Sequence, residues 1–580
     1  MKRLASPCLL FCCLVLAAAC ASGGHNGSGD DDSGDDVSDD ASDDSGDDAS
    51  DDAGDDDFAD ALPLLPGPGQ PGYDAGLERL ARRYDRGFHA LNAYAMALNS
   101  DLWVDPNAGD VRAEIEAFLR ESDGWDYRAY SGVSPLDLPV GWQATAGLYS
   151  GVGMAADAYR YAVLRDQGYD DAEVAVARGH LAADLDALHV AVAITGTPGV
   201  IARGYLRLDI PGDGPRIQTV PLFDGQGNPL PPEKDNGTWR ADNSGLYPNY
   251  VWVDSCSRDQ YIGWCAAFAA TWEAIRDDGT FDADAKARLQ KDAGDVGREL
   301  MVVRPSGYDL EIPDADGRTT FHGYMNENNF DREYIPWMPF KNGWYSTMAL
   351  GCVAALAYAS EDAVLWDYLD TALIGERGLP AIARQNQVMV DMGVQTNYGN
   401  TNMAFMGAWL ALRYIADEQT ADDIRAALAD ILYEKPGHAR QVAETRQSLF
   451  DFIFAAETAG ASVARPMVRP PDPDAVARGV QTLLEFPTPP FWEIHVTNCD
   501  DAEIASGSCT AIDGTRLDVL GYVGRNSELV CAQPIPMRVR PPSNYFWRSN
   551  PYDPNGGGDG SRLLPGVDFR FAYWLGRYVR

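Results

Sequence analysis

The chain has 580 residues, 45% of them hydrophobic and 23% charged, and a formal net charge of -41. Setting aside Lys2 and Arg3 and the 17 Asp between positions 30 and 60 leaves -26 for residues 61–580, so the body is acidic in its own right. That charge excludes binding to nucleic acid through general phosphate neutralisation, and it disfavours strongly anionic polymers unless a local Arg cluster or a metal intervenes.

Lys2 and Arg3 form a basic start, Leu9 to Leu16 an apolar run too short for a permanent span, and Ala17-Ala18-Ala19-Cys20 a small-residue cleavage site. The pattern resembles a bacterial lipoprotein signal over residues 1–19. The resemblance implies lipidation of Cys20 and a membrane partnership through that lipid. Ala21, where an inner-membrane retention Asp would stand, implies the outer membrane. An ordinary secretory peptide is the alternative. Residues 20–72 read as a tether of Asp, Ser and Gly that cannot bury enough surface to offset its ordering entropy, ending in a neck stiffened by Pro63, Pro66, Pro68 and Pro71. The Asp pairs lack the spacing of a calcium loop.

From residue 73 the hydrophobic period is helical, and helices of two kinds alternate. Ser257 to Arg276, Asn342 to Ser360 and Asn400 to Asp417 are apolar over most of their circumference, whereas Asp282 to Val303, Ala363 to Glu376 and Ala421 to Tyr433 each keep an exposed face. Gly147 to Arg165 with Asp171 to Ile194 supply another pair, and Gly76 to Leu98 and Thr445 to Thr458 further members. Inner helices alternating with outer ones predict an all-α fold, an (α/α)6-type toroid of helical hairpins over 73–462. Residues 463–580 read as a loop-rich extension packed on it, with a linker at Arg465 to Pro473, a helix at Asp474 to Glu485, short strands at Phe491 to Val496 and Leu517 to Val523, and a closing segment at Phe569 to Tyr578.

The architecture resembles the six-hairpin glycosidase superfamily. Trp252-Val253-Asp254-Ser255 is similar to the segment in which unsaturated glucuronyl and rhamnogalacturonyl hydrolases place their acid/base aspartate, although Cys256-Ser257-Arg258-Asp259-Gln260 departs from the hydrophobic-Met run usual there. The resemblance implies a carbohydrate-active enzyme.

In such a fold the loops entering the inner helices carry the ligand. The first holds Trp252, Asp254, Arg258 and Asp259, and Ser257 to Gln260 also fits a capping box in which Asp259 only favours the helix dipole. The second, Arg304 to Lys341, is far longer than an ordinary connection and contains His322, Tyr324, Asn326, Glu327 and Asn328, then Tyr334 and Trp337, with Trp344 just beyond. It reads either as a sugar site or as a buried polar network holding the loop. The third, Gln385 to Asn402, contributes Asn386, Asp391, Gln395, Asn397 and Tyr398, and Arg203 faces the same mouth or serves as a helix-terminal charge. Glycoside hydrolysis needs two carboxyl groups. The expected pair is Asp254 or Asp259 with Glu327, around a neutral or weakly charged glycan. The competing reading is a non-catalytic glycan-binding or surface-structural lipoprotein of the same fold.

Cys499 and Cys509 bracket a polar loop that reads as disulfide-closed. Pairing of Cys256, Cys265, Cys352 and Cys531 stays open, with Cys265 and Cys352 in apolar helical patterns that favour buried thiols. No zinc spacing, Walker loop, G-x-S-x-G elbow or dinucleotide fingerprint calls for a metal or cofactor.

Overall fold

Two kinds of helix follow one another along the chain, as the hydrophobic patterns predict. The computed structural model describes residues 63–579 apart from 139–140, 145–146, 211–216, 330–339, 388–389, 391, 460–470, 498 and 524–527. The signal, Cys20 and most of the tether, together with Tyr334, Trp337, Asp391 and most of the expected linker, lie outside the described residues.

One kind of helix is buried almost all round: α2 (Gly147–Asp166), α4 (Arg258–Ile275), α6 (Gly343–Ser360), α8 (Tyr398–Tyr414), α10 (Ser448–Ala459) and α12 (Val567–Tyr578). The other kind buries mainly one face: α1 (Ala75–Gly87), α3 (Asp171–Ala193), α5 (Ala283–Leu300), α7 (Ala363–Asp367, running on through Tyr368–Glu376), α9 (Glu418–Ala426, running on through Ala427–Tyr433) and α11 (Pro473–Leu484). In α5 the buried Leu289, Ala293, Val296 and Leu300 recur at helical spacing while Asp284, Lys291 and Arg298 lie on the exposed face. Asp74, Asp170, Asp362, Asp417 and Asp472 accept backbone N–H groups at the starts of α1, α3, α7, α9 and α11, which fixes where these helices begin.

Among the buried helices, α2 packs on α4 and α12, α4 on α6, α6 on α8, α8 on α10, and α10 on α12. Two of these contacts require glycine. A Cβ on Gly151 of α2 would lie 2.0 Å from the carbonyl oxygen of Gly263 in α4, and one on Gly351 of α6 would lie 2.4 Å from that of Gly407 in α8. Backbones this close leave no room for side chains, and alanine at either site would push the helices apart.

Short strands accompany the helices, more than the sequence predicts. The expected strands appear as β8 (Phe491–Ile494) and β10 (Arg516–Val523), but others occupy stretches read only as loops. β1 (Ser100–Trp103), β2 (Gly141–Ala144) and β12 (Asp559–Leu564) join β8 in the order β2-β1-β12-β8. The N-terminal region and the expected C-terminal extension therefore share one sheet, and α12 packs between α2 and α10 as a member of the buried set. β9 (Ser508–Thr510) and β11 (Glu528–Cys531) flank β10. The Cys499–Cys509 disulfide forms beside them as anticipated, and Cys256, Cys265, Cys352 and Cys531 are buried thiols.

Two small sheets shape the approach to α4. β3 (Gly204–Arg207), β5 (Tyr250–Val253) and β4 (Trp239–Ala241) pair in that order, and β5 leads through Asp254 to Ser257 into the helix. The long second loop is not structureless, because β6 (Glu311–Pro313) and β7 (Thr319–Tyr324) form a hairpin within it. Thr320 Oγ1 donates to the Cys256 carbonyl at 2.9 Å and Phe321 N to Ser255 Oγ at 2.8 Å, which ties the hairpin to the start of α4. Among the described residues no helix is long and apolar enough to cross a membrane.

Candidate functional site at the start of α4

Asp254 ends β5 in a fully internal position. Its Oδ2 accepts from Arg240 Nε at 2.9 Å, Arg240 Nη2 at 2.6 Å and Lys234 Nζ at 3.1 Å, and its Oδ1 accepts from Thr238 N at 2.8 Å. Lys234 also pairs with Asp314, and Arg318 with Asp316 at 2.6 Å, so three acids and three bases neutralise one another beneath the loop. Burial pulls the Lys234 ammonium down, but Asp314 and Asp254 outweigh it and leave its pKa raised. With three donors on Oδ2, a backbone N–H on Oδ1 and no exposed surface, the Asp254 carboxylate is committed to the interior rather than to a ligand.

Glu327 is held in the same way. It is buried and makes a two-pronged ion pair with Arg377, whose Nε lies 3.2 Å from Oε1 and whose Nη2 contacts Oε2. Arg377 reaches Asp309 with its other prong at 2.8 Å, and Asn326 Nδ2 and Tyr368 Oη donate to Asp309 at 2.6 and 2.7 Å. Burial lowers the Arg377 pKa, yet Glu327 and Asp309 more than compensate and raise it. Asn326 Oδ1 accepts from Asn328 N at 3.0 Å in a local turn. Around Glu327 the loop is thus the polar network that the sequence offered as the alternative to a sugar site.

Asp259, in the first turn of α4, is different. The capping box expected over Ser257 to Gln260 does not form: Ser257 stands at the cap, but its side chain makes no capping bond. Its hydroxyl instead donates to Asp259 Oδ1, and Gln260 Nε2 donates to Oδ2 at 2.7 Å, while Gln260 Oε1 accepts Leu148 N at 2.9 Å. The carboxylate is half-buried and, among the described residues, hydrogen-bonds to no basic side chain. Arg203 donates to Ser257 Oγ at 2.9 Å and to Asn236 Oδ1 at 3.1 Å. Arg548 donates to Tyr149 Oη at 2.5 Å. Burial lowers the Arg548 pKa, but the neighbouring Tyr149 and Asp259 keep it raised, and burial raises the Tyr149 phenol despite Arg548.

The other expected contributors divide between this mouth and the interior. His322 is exposed, with a left-handed φ of 59° and its ring 4.2 Å from that of Phe321, beside Ser255 and Cys256. Arg203 and Tyr324 are half-buried. Trp252, expected as a stacking platform, has no exposed face; its Nε1 donates to the Ala241 carbonyl at 2.9 Å within the sheet. Trp344 is equally buried and carries the Arg258 guanidinium 4.9 Å from its ring. Arg258 also donates to the His322 carbonyl at 3.3 Å, so it braces α4 against α6 and β7. Tyr398 opens α8 and is buried 6.5 Å from Tyr552.

Tyr149, Asn236 and Arg548 were not singled out from sequence. Tyr149 sits one turn into an apolar helix and Arg548 lies 399 positions later, so no spacing rule links them. Among the described residues, one histidine group has atoms close enough to consider for a metal, His89 and His180 with Asp157. The two imidazoles stack at 3.5 Å with planes 10° apart, so their lone pairs run parallel, and Arg160 and Arg570 already contact the nitrogens. This geometry suits a charge-balanced packing cluster better than converging metal ligands. No protein-family model, curated protein or solved structure matches this chain.

Proposed function

We propose that the chain is an exported, lipid-anchored glycan-binding protein of the outer membrane, built on an (α/α)6-type toroid and binding its ligand at the mouth around Asp259. Six helices buried all round, each packed on the next with the last against the first, support the toroid. One-sided helices lie between successive buried ones along the chain, which supports it further. The start of α4 then belongs to one rim of the ring, where Arg203, Ser257, Asp259 and His322 mix donors and acceptors as hydroxyl recognition requires.

The observation that carries binding over hydrolysis is the state of the three carboxyl groups. Asp254 is committed to the buried Arg240 and Glu327 to the half-buried Arg377, which leaves Asp259 alone where cleavage needs a pair. One feature keeps hydrolysis as the second reading, namely the half-buried Asp259 carboxylate beside Arg548 and Tyr149. The deciding experiment incubates the purified body with a panel of neutral and weakly charged polysaccharides and measures both retention and new reducing ends. Binding without turnover, with the component at the mouth weakened at least tenfold in Asp259→Asn, is the expected outcome. New reducing ends that disappear in that variant would replace binding with catalysis, and no interaction across the panel would remove the glycan reading.

A further inference from the structure

A cavity of about 620 Å³ opens where α4, α6 and α8 end, a size typical of small-molecule sites. α4 rises about 26 Å between Arg258 and Ile275, so this cavity lies at the far end of that helix from Asp259. Its walls bring Trp366 of α7 together with Tyr358 and Tyr414, whose rings stack at 4.5 Å and 24°. Polar groups ring these faces. Arg276 donates to Tyr358 Oη at 3.4 Å with its guanidinium 5.9 Å from the ring, and Asp370 and Asp417 also line the cavity. Asp417 is partly used, since Oδ2 caps α9 through Thr420 N at 2.8 Å. Asp370 is exposed and its carboxylate carries no hydrogen bond among the described residues, and partial burial, then Asp417 and Asp367, raise its pKa. The wall behind is satisfied, because Tyr414 Oη and Arg413 Nε both donate to Glu273 at 3.0 Å.

We propose that this cavity is a second glycan site that takes a neutral pyranose ring, with Trp366 as the stacking face and Arg276, Asp370 and Asp417 as hydroxyl partners. The aromatic faces carry negative quadrupole density, which suits the weakly positive C–H faces of a sugar. An anionic ligand would meet Asp370 and Asp417, and a cationic one would meet Arg276, whereas hydroxyls can donate to the first two and accept from the third. The site shares with the proposed mouth only the class of ligand.

The test titrates the full chain with neutral hexaoses of glucose in α-1,4, β-1,4 and β-1,3 linkage by calorimetry, and compares Trp366→Ala, Trp366→Phe, Asp370→Asn and the mouth variant Asp259→Asn. At least one hexaose binds the wild type. Trp366→Ala and Asp370→Asn weaken it at least tenfold, Trp366→Phe weakens it less, and Asp259→Asn leaves a site of unchanged affinity. Asp370 is exposed, so its variant tests the site even if removing Trp366 disturbs folding. Loss of all binding in Asp259→Asn with none in the cavity variants would overturn this proposal and leave the mouth standing, and the reverse pattern would do the opposite. No hexaose binding by the wild type, or binding of choline in its place with the same residue dependence, would also overturn it.

Discussion

Replacing His180 with Gln should reverse part of the response of stability to acid. His180 lies midway along α3, stacked on His89, with its Nδ1 accepting Arg160 Nη1 at 3.0 Å and Trp125 5.3 Å away. Arg160 can only donate, so Nδ1 must be bare and the ring neutral. A proton there would set a cation against Arg160 and near Arg570, with Asp157 working in its favour. Burial first, then His89 and Arg160, hold the folded-state pKa far below the ordinary 6.5. At this site the folded state therefore binds fewer protons than the unfolded chain below pH 6.5, and the contribution of neutral His180 is complete above that value and lost as pH falls. Linkage gives about 1.4 kcal/mol per pH unit, or about 2.7 kcal/mol between pH 7.5 and 4.5. Gln keeps an acceptor for Arg160 but loses the stack, costing about 1 kcal/mol at neutral pH. The two stability curves should cross, with the variant the less stable at pH 7.5 and the more stable at pH 4.5. The difference between curves is the quantity to measure, by urea unfolding followed by Trp fluorescence, because burial raises Asp451 and Asp568 to about 7 and works in the opposite direction in both proteins. Parallel curves over this range would refute the argument.

Asp254→Asn should destabilise the body by about 3–5 kcal/mol, because it strands the buried Arg240 guanidinium; the urea midpoint measures it, and a wild-type midpoint would mean that Arg240 finds another partner. Cys20→Ala should release the protein from membranes while leaving the helical far-UV signal unchanged. Membrane fractionation with metabolic lipid labelling reads the first part, and an unlabelled, soluble wild type would dispose of the anchor.

The helices were legible because their burial is written in their composition. Ser257 to Arg276 was read from Tyr261, Trp264, Phe268 and Trp272 on successive faces, and the helix runs Arg258–Ile275. The extra strands were not, since three or four residues carry too little period to distinguish a strand from a loop. β1 and β12 pair Leu102 with Leu563 across the length of the chain, and only the folded core brings them into register. The candidate site was half legible. Aromatic and acidic residues were found at the right helix starts, but chemistry depends on what each acid touches. The partners of Asp254 lie 14 and 20 positions upstream in a stretch with no helical pattern, and that of Glu327 lies 50 positions downstream at the end of a different helix. Ion pairing across such separations leaves no local trace, so buried and available carboxylates look alike in sequence.

The distribution of charge follows from the same pairing. Arg240, Arg377, Arg413 and Arg570 each meet an acidic partner in the interior or just beneath the surface. Those pairs cancel, so the surplus of -26 over residues 61–580 is carried by acids they leave over. Screening within about 8 Å at physiological salt weakens this surplus at a distance without abolishing it. A polyanion approaching either proposed site meets net repulsion that one or two arginines do not reverse, whereas a neutral sugar meets none. Affinity for a neutral glycan should for that reason change little with ionic strength, in contrast to the steep salt dependence of binding through phosphate neutralisation.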